Sequence, residues 1–288
     1  MKYKFHLKSI IILFIFLFNH FKLHAVQLSG VYFINPALAA TTTNFHDFNS
    51  AITFLTNSGT RNDGGPTNSS PFGVSGNVFF QIASGTYNLT SAISIPAIVG
   101  TSMISMLTFD GGNTSSCLIT GNITSSATVI LNQCNYVRFR NITITNQSNI
   151  QCTGFAIIGN TSNNAGTGCA LQNCIINLSN TFFPSQSCGI NISSSPIFTS
   201  TQAINADSVL IDSNTIIGGY YGIYMRGNSS GSFNAGIKIR SNRIERPALV
   251  LTFSASILIF TLFCVTSISY FLTCKSSLGL APEQLRAR

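Results

Sequence analysis

One phrase, apolar-x-x-Asn-x-Ile, recurs three times in this chain, at Ala170 to Ile175, Ile211 to Ile216 and Ile239 to Ile244. A variant at Phe139 to Ile144 carries Ile142 in the Asn slot, so the closing isoleucines stand at 144, 175, 216 and 244. Irregular repetition at a period of roughly 20 to 50 residues means stacked units, none of which can bury its apolar face alone. The runs between turns are short and alternating: Val78 to Ile82, Met106 to Phe109, Thr128 to Leu131 and Tyr136 to Arg140. Such runs read as strands, and no helical pattern separates them, so the predicted stack is a parallel β-helix. Asn suits an inner turn because its side chain bonds neighbouring backbone and can bond the next Asn in a stack.

Composition agrees with a turn-rich β chain. Charged residues are 8% against the roughly 25% usual for soluble domains, and 45% of the chain is apolar. Between Val26 and Pro247 there are 27 Asn. The net charge of +8 is a property of the ends: residues 26–247 carry eight basic against six acidic side chains. Without a basic patch interleaved with aromatics, nucleic-acid binding is excluded.

Residues 1–25 begin with Lys2, Lys4 and Lys8, continue with the nine-residue apolar run Ile10 to Phe18 and close on Leu23-His24-Ala25. That run is too short to span a bilayer and fits a signal peptide, so export is expected. Residues 248–274 form a second apolar stretch without a charge, followed by Lys275 and a short basic tail to residue 288. As a helix rising ~1.5 Å per residue it could cross a ~30 Å hydrocarbon core, which predicts a membrane anchor. Asn is absent after Asn242, and this abrupt change also reads as a last segment foreign to the fold. The expected organisation is therefore a signal peptide (1–25), a strand and cap-helix region (26–73), the β-helix (74–247), the apolar helix (248–274) and the tail (275–288).

The pattern predicts one further helix, near 44–57. Asn44 is a good N-cap, Phe45, Phe48, Ile52 and Leu55 share one face, and Gly59 offers a stop. His46 and Asp47 are adjacent on that helix and do not face a common site; a solvated face and a helix-dipole partner are the expectation.

Ser84-Gly85-Thr86-Tyr87, Thr108-Phe109-Asp110-Gly111 and Tyr136 to Ile144 together resemble the opening of right-handed parallel β-helix proteins of the pectin-lyase-like type. The order of cap helix, Gly-Thr-Tyr and Phe-Asp-Gly is similar to that of large secreted surface proteins of Bacteroidetes-type bacteria. The resemblance covers about residues 44 to 246 and implies a fold, whose members include polysaccharide lyases, hydrolases, tailspike-like binders and adhesins.

Aligning the repeats by their phrase puts Phe139, Ala170, Ile211 and Ile239 inward and Arg140, Leu171, Asp212 and Arg240 outward in one column. Phe139, Ile144, Ile175, Ile211, Ile216, Ile239 and Ile244 are then interior. Asp212 and Arg240 become neighbours ~4.8 Å apart, with Arg138 and Lys238 two residues behind. That strip reads either as a place to bind an acidic sugar or as a surface ion pair worth ~0–1 kcal/mol. Glycoside hydrolysis needs two converging carboxylates. Asp207 and Asp212, with Arg240 as a basic partner, are the catalytic candidates, while Asp110 in its Gly-rich turn is expected to bond backbone. The Asp-Asp pair and His-Gly motif of pectin hydrolases are missing, and no carboxylate cluster for a hard cation can be assembled, so no metal or cofactor is expected. Tyr220, Tyr221 and Tyr224, with Arg138 and Arg140, are the binding candidates; ordinary packing between rungs also accounts for the tyrosines.

Six cysteines lie in the exported part: Cys117, Cys134, Cys152, Cys169, Cys174 and Cys188. Disulfides and buried free thiols are both open, and Cys174, sharing a slot with Thr143, Thr215 and Arg243, is expected to face outward. Ten N-x-S/T sequons follow from composition. The expected function is non-enzymatic: binding of a polysaccharide or cell-surface glycan by an exported, surface-associated solenoid. The alternative is a polysaccharide lyase or glycoside hydrolase.

Overall fold

The structure, a computed structural model, describes residues 27–56, 59–68, 70–159, 166–178, 187–197, 206–226 and 235–245, and the backbone of strands at 249–254, 260–263 and 273–275. The signal-peptide expectation for 1–25 lies outside these residues.

Among the described residues the fold is all-β with one short helix. It opens with β1 (Leu28–Ile34), β2 (Asn44–Phe45) and helix α1 (Phe48–Thr56). Strands then come in threes: β3 (Val74–Ile82), β4 (Gly85–Leu89) and β5 (Ile93–Ile95); β6 (Leu107–Asp110), β7 (Cys117–Gly121) and β8 (Ser126–Asn132). The third and fourth sets are β9 (Val137–Arg140), β10 (Thr143–Asn146) and β11 (Cys152–Ile158), then β12 (Ala170–Gln172), β13 (Ile175–Leu178) and β14 (Cys188–Ser193). They are followed by β15 (Leu210–Asp212), β16 (Thr215–Ile217) and β17 (Tyr221–Arg226), and by β18 (Ile237–Arg240), β19 (Arg243–Glu245) and β20 (Leu249–Ser254). The last described strands are β21 (Phe260–Phe263) and β22 (Thr273–Lys275).

The first, second and third strand of each set join three different sheets, here A, B and C, and every strand pairs in parallel with its counterparts one set away. This is the path of a parallel β-helix, one coil per set. Stacking answers the problem posed by strands of three to nine residues, each of which buries its inward side chains only between neighbours.

Register sets the interior. Phe80, Phe109, Phe139, Leu171, Ile211 and Ile239 form one column in sheet A, all at most 1 % exposed. The rings of Phe80, Phe109 and Phe139 stack at 5.0 and 4.7 Å. In sheet B the column is Tyr87, Ile119, Ile144, Ile176, Ile216 and Ile244. Phe139, Ile144, Ile211, Ile216, Ile239 and Ile244 are interior as the phrase predicted. Ile175 is not: it pairs with Thr143 and Thr215 on the outer side and is only half-buried, and Ile176 takes the inner place. The phrase alignment slips by one residue in this coil. Ala170 pairs with Arg138, and Leu171 occupies the inward position beside Phe139. A slip of one residue exchanges the two faces of a strand, so Leu171 turns inward and Gln172 turns out. Cys174 correspondingly falls in the slot of Asn214, buried, rather than in the outward slot of Thr143.

The Asn slot lies inside the turn between sheets A and B. Asn214 Nδ2 donates to Asn242 Oδ1 (3.0 Å) and to the Leu171 carbonyl (2.9 Å), and its Oδ1 accepts from the Cys174 amide (2.9 Å). Asn242 Nδ2 continues the chain to the Ile211 carbonyl (2.9 Å). One residue earlier, Asn141, Asn173, Ser213 and Ser241 all take φ between 49° and 57°, the left-handed conformation that Asn tolerates better than most residues.

Helix α1 closes the N-terminal end of the stack. Its Phe48 meets Tyr87 (5.6 Å) and Phe109 (6.0 Å), and Phe45 meets Phe80 (5.7 Å). The N-cap is Asp47, not Asn44: Asp47 Oδ1 accepts the Ser50 amide (2.7 Å). Asn44 is taken by β2, and its Nδ2 instead donates to the carbonyls of Asn35, Leu38 and Ala39. Beneath the cap Arg61, 2 % exposed, pairs with Asp63 at 2.6 Å and donates to the carbonyls of Thr41, Asn44 and Pro66.

Of the stretch 248–274, the described residues are strand rather than helix. Leu249–Ser254 pairs with β17, Phe260–Phe263 with β18 and Thr273–Lys275 with β20, so each extends a sheet. The expected helix otherwise falls outside the described residues. Among those described, no helix is long and apolar enough to cross a membrane.

Candidate functional site: the outer ladder of sheet A

Alternation turns every second residue of a strand outward, and parallel register lines these up along the axis at ~4.8 Å per coil. On sheet A one outward column reads Phe33, Gln81, Asp110, Arg140, Gln172, Asp212 and Arg240. Asp212 and Arg240 are adjacent rungs, as expected, and meet at 2.9 Å. Three coils earlier Asp110 and Arg140 meet at 2.7 Å. Gln172 Nε2 lies 3.5 Å from Asp212 Oδ2. The slip described above hid Gln172, and Gln81 lies before the phrase begins. Applying the period-2 rule from Phe139 to Leu171, instead of from Phe139 to Ala170, would have found Gln172.

Each carboxylate in this column is already engaged. Burial pushes the Asp110 pKa up, but hydrogen bonds from Asn141 Nδ2 (2.8 Å), the Gly112 amide (2.9 Å) and Arg140 outweigh it and hold the group below its ordinary value. Asp212 behaves alike: partial burial raises its pKa, while Arg240, Ser213 and Gln172 bring it below the ordinary value. Asp110 does bond backbone in its Gly-rich turn, and it adds the ion pair. Asp207, just before β15, accepts the Ala235 amide (2.8 Å) from just before β18 and so ties two successive coils together. Among the described residues Asp207 and Asp212 share no hydrogen-bond partner. A general acid needs a raised pKa and a general base an uncommitted carboxylate facing the substrate. Asp110 and Asp212 are both committed to an arginine and both held below the ordinary carboxylate value. Among the described residues no group of three or more His, Cys, Asp or Glu is assembled that could hold a metal ion.

The binding candidates are split between two faces. Arg138 and Arg140 stand on β9 in sheet A; Arg138 is half-buried, with Nη2 3.6 Å from Met106 Sδ, and burial together with the Arg140 charge lowers its pKa. Tyr220, Tyr221 and Tyr224 belong to sheet C and the turn before it, with ring centroids 4.9 and 5.6 Å apart. Tyr224 is 2 % exposed, so it does not offer the ring surface assigned to it from sequence. It packs in its rung, paired with Asn191.

Among the described residues the six cysteines from Cys117 to Cys188 are buried free thiols. Burial pushes Cys117 and Cys174 up to about 12 and Cys152 up to about 11.

The turn from sheet A to sheet B is the second feature of the site. It takes two residues in most coils, as at Ala83-Ser84 and Asn141-Ile142, but six in the second coil, from Gly111 to Ser116. The longer turn stands out beside the first coil. With Phe33, Asn35, Gln81 and Ser84 it bounds an open cleft of about 460 Å³, whose lining includes Asp110. Sequence reading missed it because the cleft arises from a difference in turn length between stacked coils.

Comparison with protein-family models, with curated proteins and with solved structures finds no match for the chain.

Proposed function

We propose that this chain is an exported, surface-associated solenoid of the right-handed, pectin-lyase-like kind that binds a polysaccharide or cell-surface glycan along the outer face of sheet A without cleaving it. The observation that carries the reading is the outward column from Gln81 to Arg240. It presents amides and charged groups one rung apart over six coils, a spacing suited to an extended polymer lying along the axis. Its carboxylates are matched by Arg140 and Arg240, which supports recognition by hydrogen bonding over acid–base chemistry.

Incubating the full chain with a panel of acidic and neutral polysaccharides tests this. Retention on a polymer without products is the expected result. Unsaturated or reducing-end products would make the chain a lyase or hydrolase, and absence of both retention and products would leave a structural scaffold.

A further inference from the structure

The cleft beside the long turn differs from the rest of the ladder in its chemistry. Phe33 begins the outward column and is 42 % exposed, an aromatic ring beside Gln81 on the next strand. Gln81 is exposed, and neither its amide nor the Ser84 hydroxyl makes a hydrogen bond within the described residues. Across the cleft the turn is held rigid from within. Asn113 Oδ1 accepts from the Ser115 amide (2.9 Å) and hydroxyl (3.0 Å), and the Asn113 carbonyl accepts from Ser116. Thr143 of the next coil anchors the Thr114 carbonyl at 2.7 Å. These bonds use the Asn113 oxygens and leave its Nδ2 donors uncommitted among the described residues. Opposite, Asn35 Oδ1 accepts the Ala37 amide (3.0 Å), which fixes that side chain.

An exposed ring flanked by preorganised amides and a hydroxyl matches a pyranose. One face of the sugar is made of C–H groups that cover an aromatic ring, and its rim of hydroxyls takes amide donors and acceptors. The volume is within the roughly 300–1,000 Å³ of small-molecule sites. Charge decides the kind of sugar. The cleft's carboxylate, Asp110, is neutralised by Arg140, and the remaining lining is uncharged. No cation is left over for a uronate.

We propose that the cleft between Phe33 and the turn 111–116 is a subsite for one neutral sugar unit of a glycan whose chain continues along the outer ladder of sheet A. This rests on the glycan-binding reading above.

Affinity electrophoresis of the full chain through gels containing neutral glucan, mannan or galactan, or acidic polygalacturonate, tests it, with Phe33→Ala and Gln81→Ala run beside the parent. Retardation by a neutral polymer is expected, weakened about tenfold by either substitution at unchanged melting temperature. Because Gln81 is exposed, its variant reports on binding even if Phe33→Ala is destabilised. Retardation by a neutral polymer that neither substitution changes would overturn the subsite and leave the wider reading intact. Retardation by polygalacturonate alone would overturn the neutral assignment. Passage of the parent through every gel would overturn both.

Discussion

Arg240 reaches back one coil to place its Nη2 2.9 Å from Oδ2 of Asp212, a contact that exists only because Asp212 and Arg240 are partners in parallel register. The Arg240 side chain is 49 % exposed, so solvent screens the pair. Arg61 and Asp63 form the contrasting pair, with both side chains at 0 % exposure. Arg240→Ala is expected to change stability by no more than about 1 kcal/mol, and Asp63→Ala to destabilise by about 3–5 kcal/mol because it strands a buried guanidinium. Denaturant unfolding of both variants checks this; equal effects would contradict the assigned burial.

The inner Asn ladder is the second test. Asn214→Ala leaves the Cys174 amide unpaired in a dry turn and removes one donor from the Leu171 carbonyl. At about 1–3 kcal/mol for a buried group left unsatisfied, a loss of about 1–3 kcal/mol is expected. Substituting Asn173, whose side chain is exposed in the corresponding turn of the preceding coil, should cost less. A reversed order would mean that the turn is solvated.

Thiol reactivity follows from burial. In a Cys264→Ser, Cys274→Ser background, no thiol should react promptly with an aromatic disulfide reagent at pH 8, and six should react in guanidinium chloride. A promptly reacting native thiol, or fewer than six after unfolding, would show an exposed or a bridged cysteine.

Stability should fall at both ends of the pH scale. Asp63, Asp110 and Asp212 have folded pKa values below their ordinary ones, so at acid pH the unfolded chain binds more protons. Their contribution is present above about pH 4 and is lost as pH falls through the lowered values. The thiols have the opposite sign. Cys117, Cys152 and Cys174 are raised to about 12, 11 and 12, so their contribution is complete below about pH 8.5, the unfolded value. Above that it is lost as pH rises towards 11–12. Melting temperatures from pH 2 to 11 should therefore plateau between about pH 5 and 8; a melting temperature that rises above pH 9 would contradict the buried thiols.

The recurring phrase made the stacked β architecture legible, because an apolar residue and an Asn at fixed offset mean an inward side chain and an inner turn in any coil. It also marked Asp212 and Arg240 as neighbours. Register was not legible in the fourth coil. Ala170 and Leu171 are both apolar, as are Ile175 and Ile176, so alternation along that strand supports either face. The choice is made by Phe139 and Ile211 on the flanking strands, whose interior column only Leu171 fills. Gln172 and Cys174 follow that choice. The cap shows the same division: Asn44 and Asp47 are both good N-caps by type, and pairing of Asn44–Phe45 with β1 leaves Asp47 to cap the helix. The cleft at Phe33 lies furthest from sequence reading. Phe33, Gln81 and Asn113 are distant along the chain, and what brings them together is a four-residue difference between turns stacked on one another. Local chemistry therefore determined which elements form, and contact between coils decided which way their side chains face.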